Sequence, residues 1–181
     1  MAEEKRNLET IPAGSLGIIS LAGCKTLGEQ VDHYLVKWRQ ERESEHKNSL
    51  AFSGYQRDSY ILQSKVPRFG TGEGKGVILE SVRGMDLYLL VDVVNYSLTY
   101  SLCGHENHMS PDDHFQDLKR IISAVGGKAR RINVIMPFLY ESRQHKRSSR
   151  ESLDCAIALQ ELVNMGVENI ITFDAHDARV Q

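Results

Sequence analysis

The stretch that most constrains what this chain can fold into is residues 131–181. Arg131-Ile132-Asn133-Val134-Ile135-Met136-Pro137 is an apolar run stopped by a proline, and Phe138-Leu139-Tyr140 leads from it into a polar, cationic segment. Residues 152–165 then carry apolar side chains at helical spacing, with Leu153, Ala156, Ile157, the stem of Gln160 and Val163 expected on the buried side and Gly166 as the stop. Ile170-Ile171-Thr172-Phe173-Asp174 is a second strand-like run. Strand, loop, helix, strand is one βαβ unit, which builds a parallel sheet. Both strands end in polar residues at their carboxyl ends, where open α/β sheets bind ligands.

The loop 141–151 offers Arg143, Lys146, Arg147 and Arg150. Taken alone, such a loop reads as a solvated surface as readily as a binding site. Its position at the end of a parallel strand favours binding. Arg143 followed by Gln144 supplies a planar cation and an amide, which suit phosphate oxygens and base edges. Asp174 and His176 stand one residue apart, so strand alternation would put them on one face. A cationic loop opposite an Asp/His pair suits a polyphosphate held with a divalent metal.

These residues also carry a family resemblance. Tyr140-Glu141-Ser142-Arg143-Gln144-His145-Lys146-Arg147 resembles the Tyr-Ala-Arg-Gln-Asp-Arg-Lys loop of the ribose-phosphate pyrophosphokinases, and Asp174-Ala175-His176 resembles their Asp-Leu-His. Arg68-Phe69-Gly70-Thr71-Gly72-Glu73 is similar to their Arg-Phe-Ser-Asp-Gly-Glu, and Glu80-Ser81-Val82-Arg83-Gly84 matches Glu-Ser-Val-Arg-Gly. The four motifs fall in the family's order over residues 66–181. The resemblance implies an α/β, parallel-sheet, phosphoribosyltransferase-like (Rossmann-like) domain with a β-hairpin flap. It implies that Phe69, Glu73, Arg143 and Gln144 contact ATP, with Phe69 stacked on the adenine. It further implies that His176 touches the Mg²⁺–ATP unit and that Asp174 helps arrange the site. Thr71 and His145 depart from the family pattern, and Lys146-Arg147 inverts its Arg-Lys order.

The implied reaction transfers diphosphate from Mg²⁺-ATP to ribose 5-phosphate, giving phosphoribosyl pyrophosphate and AMP. The family has two similar domains, so residues 1–181 are expected to be a single domain, the N-terminal, ATP-side half. The acidic, Thr- and Gly-rich ribose-phosphate loop of the second domain does not occur in this sequence. The isolated chain is therefore expected to lack catalysis. A homo-oligomer is implied too, because the family's flap crosses a subunit interface. Two other readings stay open: a catalytically silent, synthetase-associated regulatory subunit, and a phosphoribosyltransferase, although no diphosphate-binding acidic loop is visible.

Composition adds exclusions. The chain has 181 residues, enough for one α/β domain, with 41% hydrophobic and 25% charged residues. A net charge of −2 gives no field directed at nucleic acid or an anionic membrane, and no apolar run approaches a membrane span. Cys24, Cys103 and Cys155 are dispersed without CxxC spacing, which favours a reducing, cytoplasmic setting over a disulfide framework.

The remaining elements follow from pattern. Residues 1–10 are polar and expected to be loose. Leu16–Leu21 reads as a strand, and Leu27, Val31, Tyr34, Leu35 and Trp38 mark a helix over 26–39. The charged segment 39–49 reads as a solvated helix end and loop. Residues 55–80 look β-rich, with four glycines at Gly70, Gly72, Gly74 and Gly76 demanding tight turns or close backbone approach. They lack Walker spacing. Residues 87–94 form a continuous apolar strand, and 95–109 reads as a long connection. Its His105 and His108, with Asp112, Asp113 and His114, resemble a zinc cluster only superficially. Ser110-Pro111-Asp112-Asp113 is better explained as a helix start, followed by a buried stripe of Phe115, Leu118, Ile121, Ile122 and Val125.

Overall fold

The computed structural model describes residues 12–44, 56–177 and 180. The expectations for residues 1–10 and 45–49 lie outside the described residues. In chain order the elements begin with β1 (Ser15–Ser20), α1 (Lys25–Ser44), β2 (Ser64–Lys65) and β3 (Val77–Ile78). They continue with β4 (Met85–Leu90), β5 (Thr99–Leu102), β6 (His105–His108) and α2 (Pro111–Val125). The chain then forms β7 (Arg131–Ile135), α3 (Asp154–Asn164) and β8 (Asn169–Ile171).

The central sheet is wholly parallel, in the order β1-β4-β7-β8. Strand alternation sorts its side chains to two faces. Ile19, Leu87, Leu89, Ile132 and Val134 pack with α2 and α3 in the larger core. Ile18 and Leu90, with Tyr88 and Ile135 beside them, meet α1 in a smaller one. Ile61 lies parallel to Ile18 on the outer side of β1, and Tyr60 and Leu62 are buried there. The connection after β1 therefore runs outward over one face, and the connection after β4 runs the other way over the opposite face. That reversal makes the carboxyl ends of β1 and β4 a topological switch point, where such sheets open a crevice.

The helix over 111–125 follows local chemistry closely. The Ser110 hydroxyl accepts from the Asp113 amide at 3.1 Å, and Asp113 returns the bond to the Ser110 amide at 2.9 Å. Pro111 takes the first turn, and Gly126 ends the helix at φ 57, a left-handed cap glycine tolerates best. All five expected stripe residues are buried.

Four expectations need correction. First, α1 runs to Ser44, past the end expected at residue 39, so 39–44 form the solvated helix end. Leu27, Val31 and Leu35 pack into the smaller core as expected, but Tyr34 and Trp38 are 52% and 56% exposed, and the buried residues are Gly28 and Asp32. The reason is Asp32, whose carboxylate accepts from Ser59 Oγ at 2.8 Å and the Tyr60 amide at 2.6 Å. Second, α3 turns a different face inward: Cys155, Ala158 and Leu162 are buried, whereas Ile157 and Val163 are half exposed. Ala156 and Gln160 are exposed too, and Leu153 is half-buried. The helix is apolar on nearly every side, so periodicity alone cannot choose its register. Third, the strand expected over 87–94 starts at Met85 and ends at Leu90, with Val94 exposed. Fourth, the expected connection 95–109 contains the β5–β6 hairpin.

That hairpin turns on Cys103 and Gly104, at φ 49 and 84. Two positive-φ residues make a tight two-residue turn, usually written Asn-Gly or Asp-Gly. A cysteine in its first position hides the signal. The nearby histidines serve this local structure: His108 Nδ1 lies 2.8 Å from the Tyr96 carbonyl oxygen and its ring stacks on Tyr96, while His114 Nε2 lies 2.7 Å from that of Asn95.

The cysteines give a simple test. Cys24 and Cys155 are buried, and burial pushes both thiols up, Cys24 to about 12, whereas Cys103 is exposed. Native protein treated with iodoacetamide is expected to gain one adduct by mass, at Cys103, and all three only after denaturation. A full native adduct at Cys24 would contradict this packing.

Candidate functional site

The carboxyl ends of β7 and β8 stay stitched together beyond the regular strands. Pro137 lies two residues past the end of β7, and its carbonyl oxygen accepts from the Phe173 and Asp174 amides at 3.1 and 2.9 Å. The Leu139 amide donates to the Asp174 carbonyl at 3.1 Å, and Phe138 bridges Asp174 in parallel. β8 itself stops at Ile171. Asp174 and His176 thus lie past β8, with Ala175 between them packed against the larger core. Both are exposed at the strand ends, beside the start of the cationic loop.

Tyr140 anchors that loop. Its ring stacks on Phe115 at 4.3 Å, and its hydroxyl donates to Asp112 Oδ1 at 2.7 Å. Burial, then Asp112, pushes the phenol above its usual range. Glu141 follows in a left-handed conformation, φ 55. Its carboxyl is raised by burial and by the neighbouring Asp154 and Asp112. Ser142 is buried, and beyond it Arg143, Lys146, Arg147 and Arg150 are all exposed. Ser148 and Glu151 close the loop: the Ser148 amide donates to Glu151 Oε2 at 3.2 Å and lowers that carboxyl's pKa.

Gln144 is half-buried, and its amide donates to the Ser152 carbonyl at 2.7 Å. The Cys155 amide donates to the Gln144 carbonyl at 3.3 Å. Gln144 therefore ties the loop to the start of α3. His145 turns inward, its side chain 8% exposed, with Nδ1 3.0 Å from the Ser142 carbonyl oxygen. Its Nε2 is 3.6 Å from Asp177 Oδ2, and its ring lies 5.9 Å from that of His176. The loop and the segment after β8 thus meet through His145, His176 and Asp177. Sequence reasoning singled out His176 but missed the joining role of Ser142, His145 and Asp177. No local pattern marks contacts between segments some thirty residues apart.

Phe69 and Glu73 sit elsewhere on the same framework. The flap made by β2 and β3 carries a tight loop in which the Phe69 amide donates to the Glu73 carbonyl at 2.7 Å. Phe69 is 57% exposed. Thr71 Oγ1 donates to Glu73 Oε2 at 2.8 Å. The flap is fastened to α2, where Asp117 accepts from Arg68 at 2.9 Å and from Arg120 at 2.6 Å. Burial raises the Asp117 pKa, and the hydrogen bond from Arg120 and the Arg68 charge oppose that rise. Gly76 lies so close to α2 that an added Cβ would stand 2.4 Å from the Arg120 carbonyl oxygen. One helix thus holds both groups: Asp112 meets Tyr140, and Asp117, about 8 Å further along the axis, meets the flap. At the switch point between flap, hairpin and the end of β1 lies a cavity of about 260 Å³, lined by Ser20, Lys25, Lys65, Arg68, Tyr100 and Asp117 among others.

The fold and these strand ends define a parallel α/β domain of the class that carries ligands at its carboxyl edge. The family model for the N-terminal domain of ribose phosphate pyrophosphokinase matches residues 16–166. The chain belongs to that family. A ribose-phosphate pyrophosphokinase 1 from Schizosaccharomyces pombe is 33% identical over 118 residues, covering 64% of this chain and 25% of that protein. A ribose-phosphate pyrophosphokinase B from Dictyostelium discoideum is 28% identical over 64% of this chain and 32% of its own length. The crystal structure of phosphoribosylpyrophosphate synthetase from Mycobacterium smegmatis superposes with a TM-score of 0.60 at 20% identity, over 92% of this chain and 45% of that one. The chain thus spans about a quarter to a third of the curated relatives and under half of the solved one. Among the described residues no helix is long and apolar enough to cross a membrane.

Proposed function

We propose that this chain is the ATP-side half of a ribose-phosphate diphosphokinase, the acceptor ribose 5-phosphate being held by a second domain. The observation that carries the reading is the convergence at the ends of β7 and β8. There a loop with four exposed cations begins beside Asp174 and His176, the strand ends being joined by the Pro137–Asp174 stitching and His145 lying 3.6 Å from Asp177.

In this reading Arg143 pairs with phosphate oxygens, and the loop's remaining charges hold the polyphosphate by attraction. Asp174 and His176 are one carboxylate and one imidazole. Among the described residues no group of three or more His, Cys, Asp or Glu side chains could hold a metal by itself. That donor set fits Mg²⁺, which takes one or two protein ligands and keeps water and phosphate oxygens in the rest of its shell. Bound there, Mg²⁺ would supply neutralisation of phosphate charge during transfer. The protein's part is to hold the nucleotide in line and face it with fixed cations, with no nucleophilic side chain required. Exposed Phe69 offers a ring for the base, and Glu73 a carboxylate beside it. In a homo-oligomer the flap would serve a neighbouring subunit.

A second reading, a silent regulatory subunit, has its own support. Glu73 is engaged by Thr71, and the Gln144 amide is spent on Ser152. Two of the four candidate nucleotide contacts thus have partners within the chain. The test is calorimetry of Mg-ATP on this chain, joined to an assay of AMP release by a polypeptide carrying both domains with ribose 5-phosphate. Saturable binding together with AMP release supports the diphosphokinase. Binding without turnover selects the silent subunit.

A further inference from the structure

The β5–β6 hairpin is the feature that sequence reasoning left as a plain connection, and its inner face lies against the nucleotide flap. The Cys103 amide donates to the Gly70 carbonyl at 2.9 Å, and Cys103 Sγ lies 3.6 Å from the same oxygen. The Arg68 guanidinium lies over the Tyr100 ring, 4.9 Å from its centroid. Gly72, at φ 88, sits where an added Cβ would stand 2.9 Å from Leu102 Cδ1 and 3.5 Å from Tyr100 Cε2. Tyr100 and Leu102 are two apart on β5, so strand alternation turns both to the flap, and both are half-buried. Three different interactions, from both strands' turn and from one face of β5, thus reach Gly70 and Gly72 in the five-residue loop from Phe69 to Glu73 and Arg68 at its entry.

The backbone of the turn supports the same conclusion. A cysteine held at φ 49 is in a region non-glycine residues rarely enter. Such strain persists where surroundings over-determine it, and here the strained residue's own amide makes the bond to Gly70.

We propose that the β5–β6 hairpin is a brace that holds the flap loop in its binding shape, with Tyr100 and Leu102 as positioning residues. A free loop with three glycines among residues 70–74 would sample many conformations. The brace selects one before ligand arrives, so ordering is not charged against affinity. The contact with nucleotide rests on the function proposed above, whereas the bracing itself does not.

The test therefore begins without ligand. Amide hydrogen exchange at Phe69 and Gly72, whose N–H groups close the loop, is expected to rise about fivefold to tenfold in Tyr100→Ala and Leu102→Ala. Tyr100→Phe keeps the ring and should exchange like the parent. Amides in β4 should be unchanged in all three, which shows an intact fold. Mg-ATP affinity is then expected to fall severalfold in Tyr100→Ala but to show no further fall when Phe69→Ala is already present, since the two act through one contact. Unchanged exchange in both alanine variants overturns the brace whatever the nucleotide does. Faster exchange with a Mg-ATP affinity that Phe69→Ala leaves alone keeps the brace and overturns the nucleotide reading.

Discussion

Mg-ATP binding to this chain is expected to weaken roughly 10- to 150-fold when Arg143 is replaced by alanine, and at least tenfold for His176→Ala. A hydrogen bond between charged partners contributes about 1.5–3 kcal/mol net, and a guanidinium pairing two phosphate oxygens belongs at the upper end. Arg143→Lys keeps the charge but loses the planar fork, so it should recover only part of the loss. The expected fold changes are free of stability effects, because Arg143 and His176 are both exposed and neither takes part in the core. Thermal midpoints of the variants should therefore stay with the parent. Calorimetric titration at fixed ionic strength is the measurement, since surface charge effects shrink with salt. Wild-type affinity in Arg143→Ala and His176→Ala would move the nucleotide away from the ends of β7 and β8.

The second large effect lies at the opposite end of the sheet and concerns stability. Asp86, at the start of β4, accepts from Arg131 Nε at 2.8 Å and from the second guanidinium nitrogen beside it, and from Asn133 Nδ2 at 2.8 Å. Asn133 in turn accepts from Asn169 Nδ2 at 2.8 Å. One carboxylate thus links β4, β7 and β8 across their register, Asp86 against Arg131 and Asn133 against Asn169. Asp86 and Asn133 are buried, and the hydrogen bond with Asp86 pushes the Arg131 guanidinium further above its ordinary value. Asp86→Ala leaves the buried Asn133 amide with only the Leu87 carbonyl, at 3.2 Å, and Arg131 without its partner. Breaking a fully buried pair costs about 3–5 kcal/mol. Arg131 keeps some access to water, with its side chain 31% exposed, so about 2–3 kcal/mol is expected. For a domain of this size that lowers the thermal midpoint by roughly 5–10 °C. Thermal unfolding followed by circular dichroism measures it, and a drop under 2 °C would mean that the network adds little to stability.

The two effects separate cleanly because the sheet separates them. Its amino edge is fastened by charge and amide pairs, and its carboxyl edge presents charge to solvent. A protein built this way can change the residues of one edge with little effect on the other.

Much of this was written locally. The capping box at Ser110, the stripe from Phe115 to Val125 and the left-handed Gly126 are short-range chemistry, and α2 followed from them. The apolar runs of β1, β4 and β7 fixed a parallel sheet because only a doubly covered strand is apolar on both sides. The motifs at 68–73, 140–147 and 174–176 marked the candidate residues before any fold was known. Tertiary structure decided what those patterns left degenerate. In α3 apolar residues surround the helix, so packing on β7 chose Cys155, Ala158 and Leu162 over Ile157 and Val163. In α1 the buried Asp32 found Ser59 and Tyr60 from a segment far along the chain, and this turned Tyr34 and Trp38 to solvent. A cysteine in the left-handed turn hid β5–β6, and only its fit against Gly70 and Gly72 shows why the chain tolerates that strain. The contact of His145 with Asp177 likewise joins two loops that sequence separation keeps apart. Periodicity and caps act over a few residues and can be read one at a time. Which face is buried, and which loops meet, depends on what the rest of the chain brings to the other side.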